Sequence, residues 1–203
     1  MLSRLKHNRQ STNRYCGPCC MMMLAYRFRK IDYPSRRLEQ KLYDRCFSRA
    51  LGYGVTPAAA ARWFAEEKGL KVVLRHSASQ LLENRGEYFA PQQFTALLEE
   101  YQKALACCGS AAVVYQGQPI TAETLRTDLA AGRQLMVECS VEGDADGEHD
   151  RTLHWVVVYG TEGENFLVFD PSRDGGCRTF TPQEMEDYMD TPLGRISLAV
   201  GSE

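Results

Sequence analysis

The chain has 203 residues and a mass of 22.9 kDa, with 44% hydrophobic and 25% charged residues. That length and balance suit one globular domain able to bury its own core, and exclude a disordered chain, a collagen and a coiled coil. The net charge of −2 is unevenly spread: residues 1–50 hold 12 Lys/Arg against 3 Asp/Glu, and the remaining 153 hold 12 against 23.

The first helix signal begins at Cys16, where Pro18 suits a first turn and Cys19, Met22, Met23 and Tyr26 recur at helical spacing. A second helix is expected over Ser35 to Arg49, with Leu38, Leu42 and Cys46 on one face. Gly52-Tyr53-Gly54 reads as a turn. Thr56, a suitable cap, and Pro57 open a third helix that ends at Gly69. Lys71–Arg75 reads as a short strand, residues 76–91 as an irregular loop, and Phe94–Leu105 as a helix with Leu97, Leu98 and Tyr101 inward.

Short β-branched and aromatic runs then predict strands at Ala111–Tyr115, Gln134–Val141, Leu153–Tyr159, Asn165–Asp170 and Arg195–Val200. A helix over Glu123–Ala131, closed by Gly132, falls between the first two, and Gly160–Asn165 reads as a hairpin connection. Helices first and antiparallel strands later is an α+β layout. A single domain over 1–203 is expected, with a helical lobe to about 110, a sheet lobe from about 111, and a catalytic cleft between them.

No apolar run approaches the ~20 residues that span a bilayer. Residues 1–15 are basic and polar, without the apolar centre of a secretory signal, so a cytoplasmic chain without a membrane span is expected. The basic start has no uniformly basic tract and no aromatic interleaving. Pairing with the acidic remainder is therefore expected in place of nucleic-acid binding. The eight cysteines include the vicinal pairs Cys19-Cys20 and Cys107-Cys108 and read as reduced thiols. Cys16-x-x-Cys19 has no second such pair and no spaced histidines behind it, so no zinc site is expected.

Cys16 is the strongest chemical signal. It precedes Gly17-Pro18 at a helix start, where unpaired backbone N–H groups and the helix dipole favour a thiolate. His154 opens the apolar run Leu153–Gly160, where a polar ring needs a partner. Asp170 follows sixteen residues on, late in the next strand, so a hairpin brings the two together as a base and its orienting carboxylate. Asp170 before Pro171 also suits a turn initiator. Gln10, six residues before Cys16, is placed to donate to a developing oxyanion along with the Cys16 N–H. His149 lies in the acidic, Gly-rich stretch 144–150 and is the less suitable base.

The stretch Gln10-Ser-Thr-Asn-Arg-Tyr-Cys16-Gly-Pro, then His154-Trp-Val-Val-Val-Tyr-Gly160, then Phe169-Asp170-Pro171 resembles the bacteriocin-processing (double-glycine leader) cysteine peptidases and their stand-alone relatives in the papain superfamily. The resemblance implies a papain-like fold, a Cys16–His154–Asp170 triad with Gln10 at the oxyanion, a peptide or protein substrate, and no metal or organic cofactor. Tyr15 stands where the leader peptidases typically carry an acidic residue, so their double-glycine specificity does not follow.

Two other chemistries share these residues. The same triad can deamidate glutamine or pass an acyl group to an amine. Cys16-Gly17-Pro18-Cys19 is also the redox motif of thioredoxins, which exchange disulfides. Against that reading, residues 8–15 are too polar for the buried strand that precedes such a motif, and His154 and Asp170 would go unused.

Overall fold

The computed structural model describes residues 9–12, 14–50, 52, 54–77, 113–117, 119–142, 151–172, 175–191 and 194–202, with isolated positions between 92 and 106. Within the expected helix over Phe94–Leu105 the described positions Thr95, Ala96, Glu99 and Gln102 are helical; the rest of it, most of the loop before it, and the acidic stretch 144–150 with His149 lie outside the described residues.

Helix α1 spans Cys16–Arg27, and every residue from Cys16 to Ala25 is buried. It carries no polar face, which is why its sequence reads Cys-Cys-Met-Met-Met-Leu-Ala: this is the central helix of the core. Helix α2, Arg36–Cys46, begins at Ser35, whose Oγ accepts the Leu38 N–H at 3.2 Å. It stops short of Arg49 because the chain turns back: Phe47 bridges Val55, and the Thr56 N–H donates to the Cys46 carbonyl at 2.8 Å. Helix α3, Pro57–Arg62, runs into a π turn over Trp63–Glu67 and ends at Gly69, at φ 60°. Thr56 occupies the capping position, but its hydroxyl donates to the Cys46 carbonyl and caps nothing.

Among the described residues, seven strands form one sheet in the order β2-β1-β7-β3-β4-β5-β6. They are β1 (Lys71–His76), β2 (Val113–Gln116), β3 (Gln134–Glu142), β4 (Arg151–Glu162), β5 (Asn165–Asp170), β6 (Gly176–Phe180) and β7 (Ile196–Gly201). All pairings are antiparallel except β1 with β2. The sheet thus draws in β1 from the helical part of the sequence and seats it against β7.

Two more helices are described. Helix α4, Ala122–Ala130, and helix α5, Pro182–Met189, both start in reciprocal capping boxes, at Thr121 with Thr124 and at Thr181 with Glu184.

The sheet has apolar residues on both faces. One face packs under α1 and α3 through Val72, Leu74, Met136, Trp155, Val157, Phe169 and Leu198. The other packs under α4 and α5 through Leu135, Val137, Cys139, Val156, Val158 and Val168. Burial on both faces explains the near-continuous apolar runs of β4, β5 and β7. The basic start pairs partly as expected, with Arg45 Nη2 2.5 Å from Glu67 Oε1.

Candidate active site

Gly17 sets how closely α1 approaches the sheet. A Cβ there would lie 2.4 Å from Val55 Cγ2 and 3.4 Å from Trp155 Cδ1. Only glycine lets the first turn of α1 settle against the residue that follows His154. Cys16 is the first helical residue and is buried. The backbone N–H groups at this helix end have no intrahelical acceptor.

His154 lies on β4 opposite Cys139 of β3. On the other side of β4, Val157 pairs with Phe169 of β5, so continuing that register sets Asp170 opposite Val156, two residues from His154 on the same face. His154 Nε2 meets Asp170 Oδ1 at 2.8 Å, and both side chains are buried. The Ser172 N–H also donates to Asp170 Oδ1 at 2.8 Å, and Arg178 Nη2 lies 3.5 Å from Oδ2. Asp170 is therefore a turn initiator and a histidine partner at once. Gly175 allows this turn, since a Cβ there would come within 2.5 Å of the Asp170 carbonyl oxygen and 2.8 Å of its Cγ.

The electrostatics follow from these contacts. Burial disfavours a charged His154 ring, but hydrogen bonds to Asp170 and Cys16, and the negative charge each partner can carry, outweigh burial and push the imidazole up to about 10. Burial alone would raise Asp170. The His154 hydrogen bond and charge, with the Ser172 contacts, hold it down to about 2. Both shifts favour an imidazolium on a carboxylate, with the Cys16 sulfur as the ring's other partner.

Gln10 is brought to the same place. Its backbone N–H donates to the Pro171 carbonyl at 2.9 Å, tying the segment ahead of α1 to the end of β5. Its side chain is buried, and Oε1 has no partner among the described residues. The neighbouring Ser11 N–H donates to Oε1 of the buried Glu39 at 3.2 Å. All four residues singled out from sequence thus converge on one end of β5.

Several supports had no sequence signal strong enough to find them. Arg178 sits on β6, a mostly exposed edge strand whose residues, Gly-Cys-Arg-Thr-Phe, show no clear alternation. The thiols of Cys20 and Cys139 donate to the Trp155 and His154 carbonyls, each at 3.3 Å, and so pin the backbone that carries the imidazole. The capping box at Thr181-Pro-Gln-Glu184 was a legible signal for the helix after β6. Among the described residues, no group of three or more His, Cys, Asp or Glu is arranged to hold a metal ion. Among them, too, no helix is long and apolar enough to cross a membrane.

The profile of the Peptidase_C39 like family matches residues 5–199. Comparison with curated protein sequences gives no match. A solved structure described as a C39-like peptidase from Bacillus anthracis superposes with a TM-score of 0.57 at 12% identity, over 100% of this chain and 97% of that one. The peptidase domain of Streptococcus ComA, a bi-functional ABC transporter involved in quorum sensing, gives 0.49 at 12% identity over 98% of this chain and 99% of its own. A double glycine motif protease from an AMS/PCAT transporter, solved with its leader peptide, gives 0.46 at 15% identity over 98% and 94%.

Proposed function

The chain belongs to the Peptidase_C39 like family, and from that premise we propose that it is a cysteine peptidase working through Cys16, His154 and Asp170. The observation that carries the reading is the buried His154–Asp170 contact of 2.8 Å on a ring whose remaining hydrogen bond goes to Cys16.

Nε2 is taken by Asp170, which leaves Nδ1 for the sulfur. His154 takes the Cys16 thiol proton, and the sulfur attacks the carbonyl carbon of a peptide bond. The carbonyl oxygen gains negative charge and is met by the Cys16 N–H and by the Gln10 side-chain amide. His154 gives its proton to the leaving amine, then takes one from the water that releases the acyl group. Asp170 keeps the ring in the required tautomer and supports its charge throughout. The buried Gln10 Oε1, without a partner among the described residues, accepts from a donor in the complete site, and a substrate N–H supplies it. The single domain presents this site at the junction of α1 with the sheet, and the substrate is a peptide or protein segment.

The test is alkylation followed by turnover. Iodoacetamide near pH 6 should label Cys16 ahead of the other cysteines, and Cys16→Ser should lose cleavage of a mixed peptide pool. Cys19→Ser should keep most of that cleavage. Equal loss in the two variants, or a greater loss in Cys19→Ser, would favour disulfide exchange instead, and uniform labelling would argue against an activated Cys16.

A further inference from the structure

Hydrolysis uses only the first residue of Cys16-Gly17-Pro18-Cys19. We propose that Cys19 is a resolving thiol for Cys16: a hydroperoxide oxidises Cys16, and a Cys16–Cys19 disulfide then closes across the first turn of α1.

Helix geometry selects this pair. Cys16 opens α1 and Cys19 lies three residues on, at the spacing that places side chains one above the other. Their Cβ atoms are then about 5–6 Å apart, whereas a disulfide needs roughly 4 Å. Inside a helix that difference would break the hydrogen-bond ladder. In the first turn it does not, because the N–H groups of Cys16 and Gly17 lie outside the ladder and Pro18 has none. Only the Cys19 N–H, donating to the Tyr15 carbonyl at 2.9 Å, is engaged there.

Two other thiols hold the backbone of β4. Cys20 donates to the Trp155 carbonyl and Cys139 to the His154 carbonyl, each at 3.3 Å. Cys19 is fully buried and Cys16 is not, so peroxide meets Cys16 first. Burial raises the Cys19 thiol, and the charges of Glu39 and Cys16 raise it further, so Cys19 meets the oxidised Cys16 in its thiol form.

The chemistry balances as a two-electron oxidation of two thiols. The Cys16 thiolate attacks the outer peroxide oxygen, the O–O bond breaks, and the leaving alkoxide or hydroxide takes the His154 proton. Cys16 is then a sulfenic acid. The Cys19 sulfur attacks it, the S–O bond breaks, and hydroxide departs with the Cys19 thiol proton as water. An external dithiol restores both thiols by exchange. The nucleophile is thereby kept from irreversible sulfinic acid.

The inference rests on the same reactive Cys16 as the proposed peptidase activity, but its readout is a mass. Wild-type protein is treated with excess hydrogen peroxide, alkylated with iodoacetamide, digested and mapped. The peptide holding Cys16, Cys19 and Cys20 should lose two hydrogens, carry label only at Cys20, and regain label at Cys16 and Cys19 after dithiothreitol. In Cys19→Ser, Cys16 should instead gain two or three oxygens that dithiothreitol does not remove, while the untreated variant still alkylates at Cys16. Over-oxidised Cys16 in wild type, a bond to Cys20, or full reversibility in Cys19→Ser would overturn the proposal. Fast alkylation of Cys16 without such a disulfide would sink only this inference. No preferential alkylation of Cys16 would sink the peptidase reading as well.

Discussion

Arg178 Nη2 stands 3.5 Å from Oδ2 of Asp170, the carboxylate oxygen that His154 does not use. Oδ1 already takes both the His154 ring and the Ser172 N–H. Each oxygen of Asp170 therefore has its own partner, and the carboxylate is held in position from three directions.

The consequence for turnover is a graded series. Asp170→Asn keeps the side-chain shape but removes the charge that orients and supports the imidazolium. Peptide cleavage should fall by about 10²–10⁴-fold, with the thermal midpoint little changed. Arg178 is half-exposed, and Arg178→Ala should cost only a few-fold, with an effect that shrinks as salt is raised. Equal losses in the two variants would contradict this arrangement.

The His154–Asp170 pair also sets a pH window for stability. His154 is raised from 6.5 to about 10, so its contribution is fully present below pH 6.5 and is lost as pH rises through 10. Asp170 is lowered from 3.8 to about 2, so its contribution is present above pH 3.8 and is lost as pH falls through 2. Urea unfolding at pH 6 and pH 10 should show wild type losing more stability across that interval than His154→Ala. A parallel loss in both proteins would show that the ring is not charged in the folded state.

Gly17 yields a packing prediction. Gly17→Ala forces a methyl group against Val55 and should destabilise by about 1–3 kcal/mol. It should also slow alkylation of Cys16 by moving the first turn of α1. Adding Val55→Ala should recover part of both effects. A strictly additive double variant would show that the two side chains do not compete for the same space.

Glu138, on β3 opposite Trp155, is buried, and its Oε2 has no partner among the described residues. Burial pushes its carboxyl up from 4.5 to about 8. For an acid raised by folding, the folded state loses stability as pH rises from 4.5 to 8. Glu138→Gln should remove that slope and stabilise the protein at pH 8 by more than about 1 kcal/mol. A less stable variant at that pH would mean that the carboxylate has a charged partner after all.

A buried ion pair joins β1 to α4. Arg75 spans both oxygens of Asp128 with Nη1 and Nη2, its Nε donates to Gln116 Oε1 at 2.9 Å, and Arg133 reaches Asp128 Oδ1 at 2.8 Å. Asp128→Ala leaves Arg75 buried without its counter-charge and should cost about 3–5 kcal/mol in denaturant unfolding. A cost under 1 kcal/mol would mean that water reaches the guanidinium.

The sequence was most readable where local chemistry and global position agree. Cys16-Gly-Pro, the apolar run behind His154 and the Asp170-Pro-Ser turn each announce one residue type in one backbone setting, and the structure gathers them at one end of β5. The strand Asn165–Asp170 was legible to its boundaries because its apolar residues fall between turn residues on both sides. Long-range pairing was not legible. Nothing in Lys71–His76 says that it will lie beside Ile196–Gly201, since strand order depends on which faces the helices leave open. The edge strand Gly176–Phe180 and its Arg178 were hidden for a different reason: partly exposed on both faces, it lacks the apolar alternation that marks a strand.

The middle of the sheet has a consequence in time. Ile196–Gly201 is the late-made strand on which both Lys71–His76 and Gln134–Glu142 depend for a neighbour. Cys16 is made long before residue 201, so the sheet closes only once Ile196–Gly201 is inserted between its two flanks.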